Sequence, residues 1–239
     1  MKMRVRMALC ITLSLVCNVR AAEDIALVRV GDISVRIPAP EGFFRYDGKQ
    51  PKSDIVTKLV GEKHLLAAYS SEDDLAKVLS GRSPRLERHF IAETDPKLET
   101  VMFNAELFGL MKQRFREQFS GNVEKYRETI EEVERRGSSV VRMSPRFTEL
   151  KIGEMIPLGV FEETKDSICF SALVRTEITP SNGKEKLKSV AVSAVSLTKV
   201  REHLVSLGCG AMYHDKADIE WARRNVQLWR DKVLGANTL

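Results

Sequence analysis

Beyond residue 22, the histidines and cysteines that could ligate a metal or attack as nucleophiles are His64, His89, His203, His214, Cys169 and Cys209. Their spacing supports neither chemistry. No two histidines stand four apart on a helical pattern, and no cysteine pair has the spacing of a zinc site. His214-Asp215, where a strand run meets a helix run, is the most suggestive pair, since a carboxylate can orient an imidazole as a base or metal ligand. Its plainer reading is a helix cap beside a surface histidine. There is no Gly-x-Ser-x-Gly elbow for an activated serine. Cys169 and Cys209 lie inside apolar runs, where a thiol stays protonated and inert. Gly208-Cys209-Gly210 would let another group approach closely, but a tightly packed strand explains it as well. Glu131, Glu132 and Glu134 sit among Arg127, Arg135 and Arg136, the pattern of a solvated helix face. Glu162-Glu163 closes a strand run. Neither acidic group has the buried setting that tunes a catalytic carboxyl. No glycine-rich phosphate loop is present. No catalytic, cofactor-binding or metal-ligating residue is therefore assigned, and no cofactor is implied.

The N-terminus explains most of the charge. Lys2, Arg4 and Arg6 precede the apolar run Met7 to Cys17, and Asn18 to Ala22 ends in small residues. This is the layout of a cleavable bacterial secretory signal over residues 1–22. Cleavage after Ala21 puts Val19 and Ala21 at the positions that signal peptidase reads. The apolar run is too short to span a bilayer, which takes about 20 residues. Val16 is too bulky for a lipoprotein signal ending at Cys17. The signal's Lys2, Arg4, Arg6 and Arg20 account for four of the five formal positive charges, leaving +1 on residues 23–239. A nucleic-acid partner needs a stronger positive field than that. No later stretch is long and apolar enough for a transmembrane helix.

The rest of the chain reads as one α+β domain over 23–239. Ile25 to Val30 and Ile33 to Ile37 form a hairpin around Gly31-Asp32, stopped by Pro38 and Pro40. Pro51 to Val60 is a short helix, and Lys63 to Tyr69 a strand. Ser71 caps a helix, with Asp74 at the capping-box position and Gly81 at its end. Arg85 to Ala92 alternates as a strand. An apolar stripe from Val101 to Val133, at steps of three and four, predicts one kinked or two collinear helices from about Lys97 to Arg136. Phe147 to Ile152, Glu154 to Glu163, Ser167 to Ile178, Leu187 to Thr198 and His203 to Tyr213 read as strands of an antiparallel meander, with a turn at Pro180 to Gly183. The middle strands are apolar on both faces, so helices must pack on both faces of the sheet. A last helix, Lys216 to Leu234, starts from an Asp215/Asp218 capping box, ends at Gly235 and buries Ile219, Ala222, Val226, Trp229 and Val233. Trp221 lies off that stripe beside Leu228. It either packs on the Pro38–Phe43 loop or forms an exposed ridge for a partner.

Meander order also bears on the thiols. Cys169 and Cys209 fall two strands apart, roughly 9.5 Å, beyond the ~7 Å that a disulfide allows between Cα atoms. Two free, buried thiols are expected.

Two stretches carry a resemblance: Ile37-Pro38-Ala39-Pro40-Glu41-Gly42-Phe43, and a terminal helix with Asp218-Ile219-Glu220-Trp221, Trp229 and Ala236-Asn237. Together they resemble small, uncharacterised exported bacterial proteins. The order of strands, central helix, meander and last helix is loosely similar to the Mog1/PsbP-like architecture. That resemblance implies no catalytic residue. The expectation is a periplasmic or secreted envelope protein, a non-enzymatic module that binds a protein or small ligand. Its alternative is an extracytoplasmic hydrolase built around His214 and Asp215. An effector acting on a host is indistinguishable from the first reading at this level.

Overall fold

A computed structural model describes residues 24–46, 62–79, 86–120, 147–180 and 187–238. The proposed signal, the 51–60 helix, the Gly81 stop, the acidic run 131–134 and most of the 180–183 turn lie outside these residues.

Alternation builds the first pair. In β1 (Ile25–Val30) and β2 (Ile33–Pro38), Ala26, Val30, Val35 and Ile37 are buried, while Leu27, Ser34 and Arg36 face out. The connection is the two-residue Gly31-Asp32 turn, with Gly31 at φ +58°. This hairpin forms a two-stranded sheet of its own.

The main sheet has seven strands in the order β3-β4-β5-β9-β8-β7-β6, and every neighbouring pair is antiparallel. These are β3 (Phe44–Arg45), β4 (His64–Ser70), β5 (Arg88–Thr94), β6 (Phe147–Glu163), β7 (Ser167–Pro180), β8 (Leu187–Val200) and β9 (His203–Met212). The helices are α1 (Glu72–Leu79), α2 (Ala105–Ser120) and α3 (Lys216–Ala236). The fold is thus α+β with a mostly antiparallel sheet. The meander runs β6 to β9, and β9 then pairs with β5, closing the two halves into one sheet. Among the described residues, no helix is long and apolar enough to cross a membrane.

Several boundaries differ from the sequence reading, each for a local reason. The central helix begins at Ala105, not Lys97. Asp95 Oδ1 accepts from the Lys97 amide, which turns the chain, and Asn104 Oδ1 accepts from the Leu107 amide, which starts the helix. Its part beyond Ser120 lies outside the described residues. The strands expected at 147–152 and 154–163 are one strand, in which a register shift between Ile152 and Met155 absorbs Gly153. The β8–β9 turn narrows to Arg201 and Glu202, both at positive φ (47° and 67°), the turn type that two-residue hairpins prefer. The last helix runs through Gly235 and ends at Ala236, with Asn237 as its cap.

The core gathers around α3. Its Asp215/Asp218 capping box is present, and Ile219, Ala222, Val226, Trp229 and Val233 are all buried. The helix lies against β8, β9 and β2. Trp229 packs edge-on against Tyr69 and Phe90, with centroids 5.8 and 5.3 Å away. Its Nε1 donates to the Pro38 carbonyl at 2.8 Å, and the Tyr69 hydroxyl donates to the Ile37 carbonyl at 2.8 Å. Trp221 sits between Phe43 and Phe90, under the Arg88 guanidinium at 4.3 Å. It therefore packs on the loop after β2, while Leu228 stays exposed. A second apolar cluster joins Phe103 and Phe108 to Ile168, Leu197 and Leu204. There Phe115 and Phe119 of α2 stack near Phe170.

Asn237 closes the molecule. Its amide Oδ1 accepts from the Arg36 amide at 2.9 Å, and its Nδ2 donates to the Arg36 and Val233 carbonyls at 2.7 and 2.8 Å. The side chain thus pairs with β2 as a strand residue would. Replacing Asn237 by Ala strands those groups in a buried setting. The urea midpoint should fall by the equivalent of about 2 kcal/mol with no change in m-value.

Candidate functional site

The four histidines do not converge. His64 Nδ1 is 2.8 Å from Glu99 Oε1. His203 is buried, with Nε2 3.0 Å from Asp32 Oδ1 and Nδ1 3.2 Å from the Arg201 carbonyl. It buttresses the tip of the first hairpin. His214 Nε2 is 3.7 Å from Glu87, while the Asp215 carboxylate is taken up in accepting from the Ala217 amide. The pair picked out by sequence is therefore split between two structural tasks. Among the described residues, no three His, Cys, Asp or Glu side chains gather around a possible metal position.

His89 explains one of the two glycines around Cys209. It stands opposite Gly210 across the β5–β9 pair, and a Cβ on Gly210 would run into its ring. Glycine is what lets the imidazole lie over β9. Among the described residues, the His89 Nδ1 is shut off from solvent without a hydrogen-bond partner, and so is the Oγ of Ser70 on the neighbouring strand. Burial pulls the His89 pKa down from 6.5 to about 4. The ring is held neutral.

The two cysteines are free and buried, on β7 and β9 with β8 between them. Burial raises the Cys209 thiol well above its ordinary range. Cys169 has more company. The buried Arg230 forms an ion pair with Glu162 and a second with Asp231 at 2.8 Å. Its guanidinium also reaches Ser167 Oγ and Cys169 Sγ, both at 3.3 Å. A cation beside a thiol normally favours the thiolate. Here desolvation is the larger effect and the Cys169 pKa is raised. The thiol stays protonated and donates toward Glu162 at 3.7 Å. The hydrogen bond from Arg230 holds the Glu162 carboxyl below its usual range, against the opposing effect of burial. Burial works against the charge on Arg230 too, but its bonds to Glu162 and Asp231 outweigh that and tighten its hold on the proton. This network is built like a structural clamp between α3 and the edge of β6 and β7. Arg230 stands near the C-terminal end of α3, where a helix dipole by itself already favours a cation. Its position four residues after Val226, on the buried stripe, was the available clue.

A groove of about 520 Å³ runs between α2 and the sheet. Leu98, Phe103, Leu107, Met111, Phe115 and Leu204 supply apolar walls. Lys63, Thr94, Asp95, Arg114 and Ser206 are its polar members. Leu107 and Leu110 line it and are 39% and 55% exposed, so part of the apolar wall is open to water. The volume falls in the range of small-molecule sites, about 300–1,000 Å³. Sequence reading did not single out this site, because its walls come from a loop, a helix and three strands that only the sheet order brings together.

No family model matches this chain, and no curated protein matches it. Among solved structures, the Ran-binding protein Mog1p of Saccharomyces cerevisiae aligns over 90% of this chain and 93% of its own, at 13% identity and a TM-score of 0.27. A mutant form of Mog1 aligns over the same shares at 13% identity and a TM-score of 0.28. The expected Mog1-like element order thus meets a weak likeness that carries no argument about activity. No family match supports the resemblance to small exported bacterial proteins.

Two pH effects follow. His89 gains its proton more readily when unfolded, so its contribution is complete above 6.5 and declines as pH falls toward about 4. Urea midpoints measured across that window should show the decline, and His89→Leu should remove it. Glu162 titrates lower in the native state than in the unfolded chain. Its contribution is present above the ordinary carboxyl value of 4.5 and is lost as pH falls through the depressed native value. Glu162→Ala leaves Arg230 buried with only Asp231. It should cost about 3 kcal/mol at neutral pH and much less in strong acid, by the same denaturation assay.

Proposed function

We propose that this protein is a non-enzymatic binding module of the bacterial cell envelope, periplasmic or secreted, whose groove beside α2 takes a small apolar ligand. The groove carries this reading. A site of about 520 Å³ with partly open leucine and phenylalanine walls offers water-exposed apolar surface that a bound ligand would cover. Its size suits a small ligand better than a folded protein partner, which needs a broader surface. The export part of the proposal rests on the layout of residues 1–22.

The same reading takes the two apolar clusters as opposite faces of the sheet, α3 over one and α2 over the other. In β8, Val192 and Ala194 belong to the cluster under α3, while Val195 and Leu197 belong to the one that includes α2 residues. In β9, Val205 and Leu207 belong to the first and Leu204 to the second. The α3 side is filled by large aromatic rings. The α2 side keeps the groove.

Native mass spectrometry of the protein purified from the envelope fraction of its own host tests this. The expected species begins at Ala22 or Glu23 and carries one non-covalent small-molecule adduct that solvent extraction releases. Leu110→Asp, on the open wall, should lower adduct occupancy severalfold while leaving thermal stability unchanged. An unprocessed chain recovered from the cytoplasm overturns the envelope assignment. A processed chain that never carries an adduct and takes up no apolar probe overturns the ligand assignment.

A further inference from the structure

The groove's polar members differ in one respect that bears on ligand class. Lys63 is tied to Glu93 by an ion pair. Thr94 Oγ1 donates to the Leu204 carbonyl at 3.2 Å. Asp95 Oδ1 accepts from the Lys97 amide at 2.9 Å. Ser206 Oγ donates to Glu93 at 3.5 Å. Arg114 alone among these five has no hydrogen bond or ion pair to another described residue, although its neighbours Lys112 and Arg116 on α2 are both bound to Glu163. An apolar trough with one uncommitted guanidinium on its lining is complementary to a molecule that is apolar along most of its length and anionic at one end. Arginine presents a planar fork of donors that fits a carboxylate or phosphate with two hydrogen bonds.

Resting on the ligand-binding reading above, we propose that the groove holds a single-chain anionic amphiphile, with its hydrocarbon tail along Phe103, Met111, Phe115 and Leu204 and its acidic head on Arg114. The tail supplies most of the affinity through burial. The head supplies orientation, because Arg114 is the groove cation without a partner among the described residues. Glu93 sits near the other cation, Lys63, and already neutralises it, so an anion gains less there.

Dodecanoate and 1-dodecanol separate the two contributions, since they share a tail and differ in the charge of the head. Their binding to the full protein, and to Arg114→Gln, is read by isothermal titration calorimetry. Dodecyl phosphate serves as a second anionic probe and distinguishes a carboxylate head from a phosphate head. The expected result is that the wild type binds an anionic probe roughly tenfold more tightly than dodecanol, as a charge-assisted pair provides. Arg114→Gln should bind the anionic probes and dodecanol alike, with the dodecanol affinity unchanged from wild type. That unchanged affinity also shows that the variant is folded. Equal binding of anionic and neutral probes by the wild type overturns the anionic-head assignment and leaves the apolar-ligand reading in place. An anionic preference that survives in Arg114→Gln overturns the role of Arg114. Failure of all three probes to bind overturns the ligand-binding reading itself.

Discussion

The hydrogen bond from the Trp229 indole to the Pro38 carbonyl anchors α3 to the end of the first hairpin. The first hairpin forms a sheet of its own, and two strands alone are marginal in water. It becomes stable here because α3 lies across it. A buried indole N–H needs an acceptor, and β2 has a free carbonyl where prolines end its ladder. Tyr69 meets the adjacent carbonyl of Ile37, and Asn237 completes the row at Arg36. Three side chains from distant positions thus satisfy the edge of β2 in place of a third strand. Everything above α3, including the Phe43–Trp221–Phe90 packing, depends on that seat.

Much of this was legible from alternation and spacing. The Gly31-Asp32 hairpin, the capping box at Asp215, the buried stripe of α3 and the separation of the two thiols all follow from local rules. What escaped were features decided by tertiary partners. Gly235 looked like a helix stop, yet Asn237 has the stronger local interaction, because its amide finds β2. The stripe that began at Val101 did mark a buried surface, but Val101 and Phe103 reach it from a turn. Asx-type bonds at Asp95 and Asn104 outcompete helix there. Arg230 could have been placed by counting from Val226, whereas its partner Glu162 lies on a strand 68 residues away and could not. The groove was invisible for the same reason. Nothing in the local pattern says that β9 pairs with β5.

Electrostatics divides the molecule into two regimes. Around Arg230 the guanidinium is buried, and its carboxylate partners Glu162 and Asp231 are paired with it. They fix the helix on the sheet, while desolvation keeps Cys169 protonated. Around α2 the charges are peripheral, and the interior between helix and sheet is apolar. A thiol next to a guanidinium looks like reactive chemistry on paper, but the dominance of desolvation at Cys169 removes that chemistry. The fold keeps the polar network around Arg230 structural and leaves a partly open apolar groove beside α2.

The junction of β5 with β9 has a further consequence. Arg88 pairs with Ala211 and Phe90 with Cys209, residues more than a hundred positions apart. The β5–β9 pairing therefore forms only after a large loop has closed, an entropic toll that slows the search for the native topology. For most chains such delay is a hazard. If the chain is exported as proposed, a topology that cannot close early suits passage through a translocation channel, because β5 and β9 stay unpaired until both have arrived on the same side.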